Sequence, residues 1–383
     1  MLRFILLSLA LTQAYPQVEV IKLSSLYKKD KYTEGRLSHG GVAITPTKVY
    51  LAGRGQVVIQ ERNGKDNSAV IDLKLKYSRY LSFGSIQVEG DILTLSYLGV
   101  DGMRYLCRAN QGGSIIAGPV SRHGSTDRIM KTNRSHTVVS GLYRPMYATY
   151  LDRYDDESGV GPTAESIRKF KELYETTNAF FLSFYNDSLV LVDSAAILPL
   201  KGEAASAFKD LYLSTPLDVD KEGNMLFINH LDGYTIEMVK SKSGELEKIP
   251  IWNEEFRPLP LEMSQNQAEE LKSTDQSYST VYALYSDSTH TLVSFYQNSS
   301  ERGPMKGPYY IDIISKAGEI KKSLISSYPV ITKDQNDKIF FSVVRARGWL
   351  KGNDHYLVGL TIDEIIGGRA EKEIIDRAIE QFK

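Results

Sequence analysis

The sequence contains few of the residues on which several protein classes depend. Cys107 is the single cysteine in 383 residues, so an intramolecular disulfide and a zinc site built on two thiolates are both excluded. The 46 Lys and Arg residues are balanced by 47 Asp and Glu residues, and no basic block occurs. This balance argues against a nucleic-acid partner, because binding to a phosphate backbone requires an excess of positive charge. No apolar run reaches the roughly 18 residues that a membrane helix needs, so we expect no transmembrane segment.

Sequence motifs of common catalytic sites are also absent. The chain has no Gly-x-Ser-x-Gly turn, no Walker loop and no Gly-x-Gly-x-x-Gly that opens a helix. Its six histidines are never two, three or four residues apart, so they form no zinc-binding face of a helix or strand. They are His39, His123, His136, His230, His290 and His355. We therefore assign no catalytic, cofactor-binding or metal-ligating residue and expect no cofactor.

The first 14 residues resemble a secretory signal peptide. Arg3 precedes an apolar run over residues 4–11, and Thr12 and Ala14 supply the small residues of a cleavage site. We predict cleavage after Ala14 and a mature single domain over residues 15–383, exported to the periplasm or outside the cell. A buried N-terminal strand or helix is the alternative. Tyr15 follows the predicted site, so no lipoprotein cysteine is available.

The lone cysteine lies in a short strand-like segment. Alternation along residues 104–108 places Tyr105 and Cys107 on one face, and no histidine is near in the sequence. We interpret Cys107 as a small buried apolar residue and not as a catalytic thiol. Without disulfides, an exported domain of this size must be held together by core packing alone, which is typical of large bacterial exported domains.

A hairpin pattern recurs along the chain. Short runs rich in Val, Ile, Tyr, Phe and Thr are joined by turns of Gly, Asp, Asn or Ser, residues that accept left-handed angles or bond their own backbone. After several hairpins, a third strand, a small-residue turn and a fourth strand follow. Four antiparallel strands in each repeat of about 40–60 residues predict the blades of a propeller. The hairpins cover residues 42–51, 86–95, 181–191, 216–228, 281–293 and 329–341, with a weaker copy over 138–148.

These hairpins, above all 217–228 and 330–341, resemble those of bacterial six-bladed β-propellers, the group that includes TolB-like and NHL-like propellers. The resemblance covers residues 42–344. It implies an all-β propeller in which six blades are favoured and one candidate hairpin belongs to a split or decorated blade. Seven blades are the alternative. A propeller must pair its first and last blades, so we expect residues 18–21 and 356–360 to share a blade.

Three helices are predicted in addition to the strands. Residues 163–175 carry apolar side chains at helical spacing, a capping box begins at Ser264, and residues 369–382 form an apolar stripe. We interpret all three as short insertions or, at the C-terminus, as a helix that packs its stripe onto the propeller. Binding of a partner is the alternative for the C-terminal helix.

Several polar groups are candidates for a site. Asp218 and Asp220 are interpreted as turn residues, because the calcium-loop pattern that they resemble lacks its acidic ligand at position 12. An acidic group at residues 152–157 is interpreted as a solvated loop ahead of a helix, with a cation site as the alternative. His230 lies between a strand and a loop that contains Asp232 and Gly233.

Two functions remain open from the sequence. The first is a monomeric, non-catalytic module that binds a protein or a carbohydrate through loops at one end of the channel. We expect these loops at residues 154–161, 230–233 and 345–351, which are rich in charge, aromatic groups and Gly and include Arg345, Arg347 and Trp349. The second is a propeller enzyme, a hydrolase or lyase, whose site is assembled from several blades. The fold hosts both functions and does not decide between them.

Overall fold

The chain forms strands over most of the residues that the structure, a computed structural model, describes. These are residues 18–23, 41–52, 56–63, 68–73, 82–98, 104–122, 125–131, 137–142, 179–199, 216–229, 233–258, 266–267, 278–298, 308–346 and 353–382. The first half of this part of the chain contains β1 (Glu19–Lys22), β2 (Val42–Ile44), β3 (Lys48–Ala52), β4 (Gln56–Glu61), β5 (Ser68–Asp72), β6 (Ser82–Glu89), β7 (Ile92–Leu98), β8 (Arg104–Asn110), β9 (Ile115–Arg122), β10 (Ser125–Lys131), β11 (Thr137–Leu142), β12 (Ala179–Tyr185) and β13 (Leu191–Pro199).

The second half contains the remaining strands and two short helices. They are β14 (Leu217–Val219), β15 (Met225–Asn229), β16 (Thr235–Val239), β17 (Leu246–Pro250), β18 (Tyr278–Ser286), β19 (His290–Asn298), β20 (Tyr309–Ser315), β21 (Ile320–Ser326), β22 (Val330–Lys333), β23 (Ile339–Ala346), β24 (Asn353–Leu360), α1 (Ile362–Ile366) and α2 (Lys372–Phe382).

The strands pair into six four-stranded antiparallel sheets. Sheets 1 to 5 take their strands in chain order, as β2–β5, β6–β9, β10–β13, β14–β17 and β18–β21. Sheet 6 contains β22, β23 and β24 and is completed by β1 from the other end of the chain. The position of each strand in its sheet explains whether its residues are continuously apolar or alternate with polar ones. Inner strands such as β18 are buried along nearly their whole length, whereas the outer strand β21 alternates between exposed and partly buried residues.

The first strands of the six sheets form a closed ring. In turn, β2 contacts β6, β6 contacts β10, β10 contacts β14, β14 contacts β18, β18 contacts β22, and β22 returns to β2. Sheets arranged radially around a common axis in this way define an all-β propeller. The fold class that the hairpin resemblance implied is therefore confirmed.

The apolar core lies between neighbouring sheets. One cluster joins sheets 1 and 2 through residues such as Val57 and Leu93, and another joins sheets 4 and 5 through Ile228 and Phe295. Cys107 belongs to the first of these clusters and is fully buried. Burial raises the pKa of the Cys107 thiol to about 12. The interpretation of Cys107 as a small buried apolar residue is confirmed.

The predicted hairpins are present, but two of them share a sheet. Residues 181–191 form the outer hairpin of sheet 3, between β12 and β13, and residues 138–140 lie in β11 of the same sheet. The other five predicted hairpins each pair the first and second strands of a sheet. Residues 143–150, which the weaker hairpin also included, lie outside the described residues. The local pattern of an outer hairpin is therefore the same as that of an inner one.

Strand β1 closes the ring. It pairs antiparallel with β24, in a register that sets Glu19 opposite Gly359 and Lys22 opposite Tyr356. Ile21 is completely buried in a cluster that joins β1 to sheets 1 and 6. The expectation that residues 18–21 and 356–360 share a blade is confirmed.

A cluster of ion pairs joins β1 to the turn after β4 in sheet 1 and to the turn between β22 and β23 in sheet 6. Arg62 donates to both carboxylate oxygens of Glu19, at 2.6 and 2.9 Å, and to Asp334 Oδ2 at 2.7 Å. Lys338 Nζ donates to Glu19 Oε2 at 2.8 Å. Burial raises the pKa of Glu19, but the hydrogen bonds from Arg62 and Lys338 outweigh burial and the pKa is lowered below its ordinary value. The ionised carboxylate of Glu19 is therefore part of the closure.

The substitution Glu19→Gln is expected to remove an acid-dependent part of the stability. A carboxyl whose folded-state pKa is lowered stabilises the fold above its unfolded pKa, near 4.5, and this contribution disappears as the pH falls through the folded-state value. We expect the variant to lose about 1–3 kcal/mol at pH 7, and the difference from wild type to shrink below pH 4. Urea unfolding at several pH values measures it. If the stability difference between wild type and Glu19→Gln is the same at pH 7 and pH 3, the ionised carboxylate of Glu19 does not stabilise the fold.

The two helices pack on sheet 6. Thr361 and Glu364 form a capping box at the start of α1. Helix α2 buries Ile375 and Ile379 in the core cluster that joins sheets 5 and 6. The predicted C-terminal helix and the packing of its apolar stripe are confirmed.

The other two predicted helices lie mostly outside the described residues. Asn266 and Gln267 are helical, whereas residues 163–175 lie outside the described residues. Over the part of the chain described here, no helix combines the length and apolar character that crossing a membrane requires.

Candidate binding site in the central channel

A cavity of about 340 Å³ lies where the inner strands converge. All six of them line it, through residues such as Ile44, Ile86, Ile129, Asp218, Tyr285 and Ile331. Its size is near the lower end of the range for small-molecule pockets, about 300–1,000 Å³. The propeller therefore has a central channel that is wide enough for a small ligand.

The channel has two different ends. We call the end with the turns from first to second strands the short-turn face; it includes residues 220–224, 287–289 and 334–338. Because neighbouring strands are antiparallel, the connections from second to third strands and between sheets must leave from the opposite end, which we call the long-connection face. Thr45, Asp220 and Asp334 follow their inner strands directly and line the cavity, which therefore lies near the short-turn face.

An ion pair between Asp218 and Lys333 crosses this end of the channel. Lys333 Nζ lies 2.9 Å from Asp218 Oδ2, and it also donates to the Ser286 carbonyl at 2.7 Å. A third contact, 3.5 Å long, joins Lys333 to Asp337 Oδ1. Burial lowers the pKa of Lys333, but the charges of Asp218 and Asp337 outweigh burial and the pKa is raised. The pair ties sheet 4 to sheet 6 across the inner strand of sheet 5.

The two carboxylate oxygens of Asp218 have different roles. Oδ2 accepts from Lys333 Nζ and from the backbone N–H of Ser286, the latter at 2.6 Å. Oδ1 accepts no hydrogen bond from any described residue, although Asp218 is only 2% exposed and lines the cavity. The interpretation of Asp218 as a turn residue was wrong. Asp218 links sheet 4 to sheets 5 and 6 through Oδ2, and its Oδ1 is available to a ligand in the cavity.

Asp220 does have the predicted turn role. Its Oδ1 accepts from the backbone N–H groups of Glu222 and Asn224, both at 2.9 Å, and Gly223 takes a positive φ of 82° that suits glycine. Asp334 accepts in the same way from residues 336 and 338. Each turn thus places a carboxylate at the end of an inner strand.

Among the described residues, Ser286 and Lys316 form the shortest contact between a hydroxyl and an amine that resembles a nucleophile with its base. Lys316 Nζ lies 2.6 Å from Ser286 Oγ. Partial burial lowers the pKa of Lys316, against the attraction of Asp220, Asp287 and Asp218. A Ser–Lys pair is a known variant of hydrolytic machinery. The hydroxyl of Ser286 is buried, however, and Ser286 does not line the cavity, so a substrate in the cavity does not reach it.

The histidines that the structure describes are not part of this site. His290 Nδ1 lies 2.9 Å from Thr289 Oγ1 in an exposed turn. His355 lies in β24, where its carbonyl accepts from the Leu23 backbone N–H at 2.8 Å. The other four histidines, including His230, lie outside the described residues, as do the acidic group at residues 152–157 and the helix after it.

The three loops predicted for recognition connect the second and third strands of their sheets. They join β11 to β12, β15 to β16 and β23 to β24, so all three leave from the long-connection face. Most of their residues lie outside the described residues. Arg345 is described, and its Nη2 lies 2.6 Å from Asp376 Oδ1 in α2. Arg345 is therefore held by the C-terminal helix.

Sequence reasoning missed Lys333, Ser286 and Lys316. A signal for Lys333 does exist in the repeat. When the hairpins are aligned on Asp220 and Asp334, Lys333 takes the position of Val219, at the end of an inner strand. A charged residue at that position indicates a polar contact in the channel. For Lys316, a turn residue between β20 and β21, no such signal is present.

Comparisons with known proteins find similarity only to solved structures of low sequence identity. No protein-family model matches the sequence, and no curated protein matches it. Among solved structures, it is similar to a protein from Agrobacterium tumefaciens described as a TolB, with 10% identity and a TM-score of 0.42 over 84% of this chain and 90% of the other. The CNH domain of AfRom2 gives 10% identity and a TM-score of 0.40 over 84% of this chain and 94% of that domain.

A europium-containing methanol dehydrogenase is a third similar structure. It gives 9% identity and a TM-score of 0.38 over 80% of this chain and 65% of the enzyme. Similarities at these identities and scores indicate no ligand, partner or reaction for this protein. Function has to be argued from the site itself.

Proposed function

We propose that the protein is an exported propeller of six blades that binds a protein or a glycan with its long-connection face. The blade number is inferred from the six four-stranded sheets and the ring of their first strands. Export is inferred from the signal-like residues 1–14. The binding role rests on one observation, the unequal amount of chain at the two ends of the channel.

The long-connection face receives much more chain than the short-turn face. There, 36 residues separate β11 from β12, 17 separate β13 from β14, and 27 separate β17 from β18. On the short-turn face, the turns between β14 and β15 and between β22 and β23 have five residues each. Long connections on a rigid scaffold are the usual carriers of recognition, because strands are already committed to the core. This asymmetry favours recognition at the long-connection face.

The composition of these connections also suits recognition. Residues 154–161, 230–233 and 345–351 combine charged, aromatic and glycine residues. Aromatic and Arg side chains dominate the energy of most protein interfaces. The near-zero net charge of −1 implies short-range contacts and a weak dependence on salt.

A hydrolase is the second candidate, and the 2.6 Å contact between Ser286 and Lys316 is the observation that favours it. The buried position of the Ser286 hydroxyl opposes it. Turnover of a small ester that disappears in Ser286→Ala would support the enzyme. A binding module turns over no ester, with or without this substitution.

Alanine substitution of both Trp349 and Lys351 is expected to weaken binding by about tenfold or more, because aromatic and cationic side chains are typical hot spots. Binding is measured by capture from envelope extracts and on a glycan array. The matched control is Lys242→Ala with Glu245→Ala, in an exposed turn between β16 and β17 on the short-turn face, which should bind as wild type does. Loss of binding in the control alone would move the site to the other face.

A further inference from the structure

The channel cavity has the features of a ligand site that is separate from the long-connection face. We propose that it binds a small alkylammonium ion, with the ammonium group against Asp218 and Asp220 and the alkyl chain between the inner strands. This proposal does not depend on the proposed function, because the cavity lies near the short-turn face.

The charge of the cavity wall favours a cation. Its lining contains three carboxylates, from Asp218, Asp220 and Asp334, and one ammonium group, from Lys333. Arg62 neutralises Asp334 from outside the cavity at 2.7 Å. Asp218 is paired with Lys333, so the carboxylate of Asp220 remains without a cation in salt-bridge contact among the described residues. The lining itself therefore has a net negative charge, and Arg62 and Lys316 are attracted to its carboxylates from residues outside the lining. In a partly apolar surrounding, opposite charges attract more strongly than in water.

Hydrogen-bonding capacity points in the same direction. The three N–H bonds of Lys333 already face Asp218, the Ser286 carbonyl and Asp337. The hydroxyl of Thr332 donates to the Val42 carbonyl at 3.2 Å. Beside these two residues, Asp218 Oδ1 is an acceptor without a hydrogen bond from the described residues, on a side chain that is 2% exposed. An ammonium ion supplies the donor that Oδ1 lacks, whereas an anion would meet only neutral donors of the lining, such as the Gln87 amide and the Ser85 hydroxyl, beside the three carboxylates.

The remainder of the wall suits an alkyl chain. Ile44, Ile86, Ile129 and Ile331 line the cavity from four different sheets. Tyr285 lines it from a fifth, and aromatic rings attract organic cations. A volume of about 340 Å³ accommodates a chain of a few carbons with its ammonium group. A free amine and a lysine side chain of a partner both present this chemistry.

Three probes with similar chains and different charges test the proposal on the mature protein. They are n-butylammonium, 1-pentanol and pentanoate, with Nα-acetyl-lysine methylamide as the arm that represents a partner's lysine. Binding is measured by calorimetry and by ligand-observed NMR. We expect n-butylammonium to bind at least about tenfold more tightly than 1-pentanol, and pentanoate not to bind. Binding of the lysine derivative alone would assign the site to a partner's side chain.

Two substitutions and a control separate the site from non-specific attraction. Asp220→Asn keeps the oxygen that caps the turn, removes the charge and loses the bond that Oδ2 accepts from Asn224 Nδ2 at 3.0 Å. It should weaken n-butylammonium binding at least fivefold (roughly 1 kcal/mol). Gln87→Trp fills the cavity from β6 without changing a charge and should abolish binding. Asp287→Asn removes the charge of a similar turn outside the cavity lining and should leave affinity unchanged. Equal affinity for n-butylammonium and pentanoate, or unchanged binding in Gln87→Trp, would overturn the proposal.

Discussion

A protein that lacks residues 18–23 is expected to lose cooperative unfolding or to melt many degrees below wild type. Strand β1 supplies the fourth strand of sheet 6, so its removal exposes the edge of β24 and opens the cluster around Ile21. Truncation of one fully buried side chain of this size typically costs about 2–5 kcal/mol, and the deletion removes Val20, Ile21 and Leu23 together. Thermal unfolding followed by circular dichroism measures the effect.

Point variants in β1 provide the matched control. Ile21→Ala should lower the free energy of unfolding by about 2–5 kcal/mol, because Ile21 is 0% exposed. Lys22→Ala changes the next residue, whose side chain is 41% exposed, and should leave the melting temperature close to that of wild type. A protein without residues 15–17 but with β1 intact should also melt normally. If the variant without residues 18–23 melts at the wild-type temperature, β1 does not close the ring.

Much of the fold could be predicted from the sequence, because each strand–turn–strand hairpin is recognisable from a short run of neighbouring residues. The hairpin at residues 216–228 follows from two short apolar runs and a turn whose residues, Asp220 and Gly223, have the conformations and hydrogen bonds that such turns require. The closure by β1 was also predictable, since a ring needs its ends joined. What the local pattern could not distinguish was an inner hairpin from an outer one, and residues 181–191 are the outer hairpin of sheet 3.

The candidate site was less predictable, because it depends on contacts between distant sheets. Asp218 and Lys333 are 115 residues apart and belong to sheets that are not neighbours in the ring. A local reading of Asp218 therefore gave a turn residue. Arg345 was assigned to a recognition loop for the same reason, since its partner Asp376 lies in the C-terminal helix. The sequence does identify the three connections as charged and aromatic, but only the strand order assigns them to one face.

Replacement of Lys333 by Met is expected to destabilise the protein by about 3–5 kcal/mol. The substitution leaves Asp218, which is 2% exposed, as a buried charge whose ammonium partner is gone. Urea unfolding of wild type and variant at pH 7 measures the loss. The matched control is Lys221→Met in the same cluster. Lys221 pairs with Asp337, but its side chain is 61% exposed, so its removal should leave the melting temperature nearly unchanged.

The double variant Asp218→Asn with Lys333→Met distinguishes a stabilising pair from the cost of an isolated charge. Because it removes both buried charges, it should recover most of the stability that Lys333→Met loses. Alkaline pH gives an independent check. The pKa of Lys333 is raised in the fold, so its contribution is complete below the unfolded value of about 10.5 and disappears as the pH rises through the folded-state value. Wild type should therefore lose stability in this range relative to the double variant. If the double variant is as unstable as Lys333→Met at pH 7, the loss comes from packing around Lys333, and the Asp218–Lys333 pair is not what joins sheets 4 and 6.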